Sequence, residues 1–111
     1  MPNLSAYAAT MQINDRLLEV YHDIGHNMPS QEVERVCASL LGVAADLSHA
    51  LDEHGALASD RAAELSAVSE EAAQAGAAAK VGQDAWAALI RAHGRINRVV
   101  IAVMDSATSS S

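Results

Sequence analysis

Between Val33 and Leu51, apolar side chains recur at intervals of three and four: Val33, Val36, Leu40, Val43, Ala44, Leu47 and Leu51. That spacing follows the 3.6-residue turn of an α-helix and produces one long apolar stripe that must be covered. Period-two strand patterns are nearly absent, and the helix formers Ala, Leu, Glu and Arg dominate. The 111 residues suit one domain, and half are apolar, so a core can form. Phe is missing, and Tyr7, Tyr21 and Trp86 are the only aromatic residues besides histidine. Alanine supplies much of the apolar content and buries little area per residue. Helices must therefore approach closely, and a second copy of the chain is a natural source of further burial.

The pattern predicts an all-α fold, an antiparallel up-down four-helix bundle over residues 1–105 followed by a disordered Ser/Thr tail at 106–111. The first helix is expected at 4–26, with Leu17, Leu18, Val20, Tyr21 and Ile24 on its apolar face. Asn27-Met28-Pro29-Ser30 reads as a stop and restart, with Ser30 as N-cap and Glu32 in the first turn of a helix at 31–54. Gly55 reads as the residue that ends that helix, and Ser59 or Asp60 as the cap of the next. The third stripe holds Leu65, Val68, Ala72, Ala75 and Ala79; the fourth holds Trp86, Leu89, Ile90, His93, Ile96, Val100 and Val103. Lys80-Val81-Gly82 looks like a helix end and Asp84 like a new cap, yet the spacing also runs through 75, 79, 82, 86 and 89 without a phase break. One continuous C-terminal helix over 60–106, giving three helices in all, is the alternative.

The net charge of −7 is uneven: residues 1–83 carry twelve acids against four bases, while the remainder carries Arg91, Arg95 and Arg98 against Asp84 and Asp105. An acidic balance disfavours nucleic acid and anionic membrane surfaces as partners. The longest apolar run, Val99 to Met104, is far too short to span a bilayer. Met1 to Asp15 lacks the basic start and apolar run of a secretory leader, and the single Cys37 suits a reducing compartment. The expectation is a cytoplasmic protein.

Three constellations bear on chemistry. Asp15, Glu19, His22 and His26 are spaced four, three and four, which would place two carboxylates and two imidazoles on one helical stripe, able to hold an ion such as zinc. The stripe lies opposite Leu17, Tyr21 and Ile24, however, so it reads first as a solvated face. Carboxylate–histidine sets on several helices, with Asp46, His49 and Glu53 on the second, resemble di-iron bundles and hemerythrin-like proteins, but those families turn their ligands into the core. His22-Asp23 resembles the central pair of HD-type phosphohydrolases, although no His precedes it here. His93, midway along the last helix of a small bundle, resembles the phosphorylated residue of histidine phosphotransfer domains. Those domains expose the His and follow it one turn later with Lys and a small residue, whereas Ile96 and Asn97 stand here. Its place on the apolar stripe predicts a buried, hydrogen-bonded imidazole. Cys37, beside Val36 and Leu40, reads as a small buried hydrophobe.

Two further features point outward. Val99 to Met104 is apolar on every side of its helix, and Arg91, Arg95 and Arg98 form the only basic stripe. Arg91, Arg95, Arg98, Val99, Ile101 and Met104 are thus the expected partner-binding residues. The functional expectation is a non-enzymatic helical interaction module of regulator, adaptor or antiactivator type. It would need no cofactor and would work as a homodimer that also engages another protein. The competing expectations are a metal-binding bundle using His22 and His26, and a divergent phosphotransfer protein using His93.

Overall fold

The computed structural model describes residues 3–109 as four helices: α1 (Leu4–Asp23), α2 (Ser30–Glu53), α3 (Ser59–Lys80) and α4 (Trp86–Ser109). Their lengths of 20, 24, 22 and 24 residues match, and short loops join them. Each helix packs on its sequence neighbour, α1 also packs on α4, and the α2–α4 diagonal is a lesser contact. This is an up-down four-helix bundle measuring 50 × 24 × 19 Å.

The break between α3 and α4 is real, and its causes are local. Gly82 has a φ of +74°, a conformation open to glycine without strain, and the amide of Gln83 returns to the Ala78 carbonyl at 2.9 Å. Asp84 then restarts the chain by accepting the Trp86 N–H at 3.0 Å. Gly55, at φ +66°, closes α2 in the same manner, with the Ala56 amide reaching the Leu51 carbonyl.

Other boundaries differ from expectation. α1 stops at Asp23, not residue 26. Ser30 is not a cap: Pro29 holds that place, and its carbonyl takes the Glu32 and Val33 amides, so Ser30 is already helical. Likewise Ala58 precedes α3, leaving Ser59 and Asp60 inside its first turn with no side-chain cap bond. α4 runs on to Ser109, into the stretch expected to be a Ser/Thr tail, while Ser110 and Ser111 lie outside the described residues. Arg61 supports that extension by donating to the Ser106 hydroxyl at 3.0 Å.

The core is aliphatic. Leu17, Leu40, Leu47, Leu51, Leu89 and Ile96 are its largest fully buried members. Ala72 and Ala75 of α3, and Ala85, Ala88 and Ala92 of α4, are also buried, which lets helix backbones approach closely. Leu18 and Tyr21, expected on the apolar face of α1, are instead half exposed; Ala6, Thr10, Ile13, Leu17 and Val20 face the core.

Replacing Leu47 with Ala should lower unfolding stability by about 3 kcal/mol, since it leaves a cavity in a close-packed layer. Leu41→Ala, at a surface position, should cost less than about 1 kcal/mol. Urea unfolding of the two variants checks this, and equal losses would contradict the assignment of core and surface.

Candidate functional site

The proposed metal stripe is not assembled. A four-three-four spacing keeps side chains in line only while the helix continues, and α1 ends at Asp23, three residues short of His26. His26 crosses to the α3–α4 loop, where its Nδ1 lies 2.6 Å from Asp84 Oδ2 and its ring stacks on Trp86 at 4.6 Å. Asp84 also accepts the Asn27 N–H at 3.0 Å. Those backbone and imidazole bonds, the Asn27 amide foremost, hold its carboxyl down at about 2. The cluster clasps the two loops at one end of the bundle. Among the described residues, no group of three His, Cys, Asp or Glu is placed to hold an ion. His49 pairs with Glu53 on the surface of α2 at 3.2 Å.

The arginine stripe is also consumed within the chain. Arg91 Nε donates to Glu71 Oε2 at 2.8 Å, and Arg95 reaches Glu71 Oε1 at 3.3 Å and Glu64 at 3.4 Å. Glu71, only 7% exposed, is the buried acid of the bundle. The Arg91 hydrogen bond keeps its carboxyl below the ordinary 4.5 against the opposing pull of burial, and Arg95 adds to the effect. Arg98, more exposed, lies 3.6 Å from Glu64. The stripe expected to face outward thus bolts α4 to α3, and Arg98 is its most solvent-accessible member.

The apolar run of α4 divides in two. Val99, Val100 and Val103 are core residues, so Val99 is not available to a partner; Ile101 is 49% exposed and Met104 half buried. Ile101 belongs to a longer strip that sequence reading missed. On α1, Leu4, Tyr7, Met11, Asn14, Leu18 and Tyr21 follow one another at three and four, each fully or partly exposed. On α4 the same holds for Ile90, Gly94, Asn97, Ile101 and Met104, with Trp86 and His93 at its upper end. α1 packs against α4, and Tyr21 meets His93 with ring centroids 5.1 Å apart. The two strips therefore form one face, and none of these positions carries Asp, Glu, Lys or Arg. Leu18 and Tyr21, at 52% and 50% exposure, are its most prominent side chains on the upper half of α1. The signal was in the sequence: α1 carries two apolar seams, and only the one that includes Leu17 can face the core.

His93 sits at the join of α1 and α4, half buried. Its Nε2 is enclosed and has no hydrogen-bond partner among the described residues; the ring hydrogen-bonds instead to the Leu17 backbone. Burial lowers its affinity for a proton, partly offset by the Leu17 backbone. Cys37 is buried on α2 with its Sγ 3.5 Å from the Ala72 carbonyl, and burial, then Glu34, pushes its thiol up, away from the reactive thiolate. A depression of about 560 Å³ between α2 and α3 is lined mainly by small residues around Leu41, Ala73 and Gly76.

Because folding holds His93 below its ordinary 6.5, the unfolded chain takes up that proton first. Its effect on stability is absent well above that value and grows as a loss as pH falls below it. Glu71 and Asp84, both lowered, lose their contributions only below their ordinary 4.5 and 3.8. Urea unfolding at pH 7 and pH 5 should therefore show a loss that His93→Leu reduces. An identical loss in the variant would refute the assignment.

No protein-family model, curated protein or solved structure matches the chain.

Proposed function

We propose that this protein is a non-enzymatic helical interaction module, a regulator, adaptor or antiactivator, that works by burying the open face of α1 and α4. The observation that carries this reading is the uncharged strip from Tyr21 and Ile90 down to Tyr7 and Met104. It is set in a chain whose charged residues make up 19% of the sequence. An apolar face that a folded bundle leaves in water, rimmed by charge, is the form of a protein-binding surface. Its aromatic and methionine content suits that use: Tyr7, Tyr21, Met11 and Met104 bury large areas on contact and adapt to a partner's shape.

The chemistry of the polar groups supports the same reading. His26 is committed to Asp84, and Arg91 and Arg95 of the basic stripe to Glu71 and Glu64. His93 has its Nε2 enclosed, where a phosphotransfer residue must offer a ring nitrogen to a partner's aspartyl phosphate. Among the described residues no helix is long and apolar enough to cross a membrane. We place the module in a reducing compartment such as the cytoplasm, where Cys37 remains a thiol.

The test is charge insertion at two exposed positions. Leu18→Asp combined with Ile101→Asp should leave helicity and unfolding stability within about 1 kcal/mol of wild type. It should abolish retention of the proteins that the wild-type chain captures from its source cells. Leu41→Asp, on the α2–α3 groove, should retain them. The opposite pattern would move the function to that groove and refute the α1–α4 assignment.

A further inference from the structure

We propose that the occupant of the α1–α4 face is a second copy of the chain, related by a two-fold axis parallel to the helices. This rests on the reading of that face as a docking surface and names its partner. In such a pair α1 of each protomer lies on α4 of the other. Every neighbour in the new layer is antiparallel, as within the chain itself, and two helix pairs close into a second four-helix core.

The levels match. Tyr21 lies opposite His93, so each step down α1 corresponds to a step along α4. An axis parallel to the helices preserves those levels. The aromatic end with Tyr21, Trp86 and Ile90 then meets the same end of the partner, and the end with Tyr7, Met11, Ile101 and Met104 meets its own equivalent. Asn14 and Asn97, the amides of the strip, fall within about one helical turn of each other, near the middle of both helices. The arrangement gathers them into one polar layer, the device by which helical bundles fix register.

Charge at the rims selects this axis over the alternative. Beyond the strip, α1 is edged on the side away from α4 by Asp15 and Glu19, both exposed. α4 is edged on the side away from α1 by Arg98, exposed beyond its 3.6 Å approach to Glu64 of α3. Six residues below Tyr21 stands Asp15; six beyond His93 stands Val99, next to Arg98. The parallel two-fold therefore sets Asp15 of each protomer beside Arg98 of the other, twice per dimer. A two-fold perpendicular to the helices would lay α1 on α1 and α4 on α4, opposing Asp15 to Asp15 and Arg98 to Arg98, which repel. Asp105, at the level of Ala9, meets no acid in the favoured arrangement.

Sedimentation at micromolar concentration should give twice the chain mass. Asp15→Arg or Arg98→Asp alone should raise the dissociation constant by about tenfold, because each reversal creates two like-charge pairs. The double reversal should restore it to within about twofold. Should a reversal impair folding, disulfide trapping in a Cys37→Ala background replaces it: a mixture of Asp15→Cys and Arg98→Cys chains should cross-link as mixed dimers, and neither chain alone should do so. A dimer insensitive to single reversal, a double reversal without rescue, or cross-linking of like with like would overturn the arrangement. A wild-type monomer would overturn the second copy as occupant. In that case the Leu18→Asp and Ile101→Asp chain decides the broader reading: loss of captured proteins keeps the face as a docking surface for a different protein, and their retention removes it.

Discussion

Everything in this bundle follows from how little apolar area each residue can bury. With no Phe and many alanines, stability cannot come from a few large side chains. It comes from four long helices that each bury an entire stripe at close backbone approach. Leu17, Leu40, Leu47, Leu51, Leu89 and Ile96 fill the layers, and the alanines of α3 and α4 set the spacing between them. Close approach also brings α3 and α4 near enough for Arg91 and Arg95 to span to Glu71, which is why a basic stripe that looks solvated on a helical wheel becomes an internal bolt.

The same economy explains the uneven surface. α2 spends its apolar residues almost wholly on the core, with Leu41 as the large exposed exception. α1 and α4 carry a second seam that none of the described elements covers. Polar atoms at the α1–α4 contact are also incompletely satisfied: Thr10 Oγ1 and His93 Nε2 are enclosed without hydrogen-bond partners among the described residues. This side of the bundle therefore combines exposed apolar side chains with enclosed polar atoms that lack partners among the described residues.

The fold was legible because its signals are local and repeated. The stripe from Val33 to Leu51 admits one phase, and Gly82 followed by Asp84 marks a stop and restart whatever lies nearby. What was not legible depends on tertiary pairing. In α1 two seams compete, and Leu18 and Tyr21 are as apolar as Leu17 and Val20; only packing against α2 and α4 decides which pair is buried. Glu71 sits in an alanine-rich helix with a weak stripe, so nothing in its neighbours announces a buried acid facing two arginines 20 and 24 residues further along the chain. The expected His/carboxylate stripe failed for a different reason. It required the helix to continue to His26, and the chain leaves the helix at Ile24, whose backbone is extended (φ −83°, ψ 119°), so His26 falls in the turn that follows.

His26 shows how a helix end can redirect a residue's chemistry. Had α1 continued, its imidazole would have stood in solvent one turn above His22. Released from the helix, it stacks on Trp86 and bonds Asp84, whose other oxygen takes the amides of Asn27 and Trp86. One carboxylate therefore fixes the start of α4 and the turn after α1 together. Since α1 and α4 are the helices that present the open face, the clasp holds the upper end of that face in register. Trp86 stacks on His26 at that end, beside the two loops that Asp84 ties together. The polar groups whose residue types best suit chemistry are used here to join one loop to another.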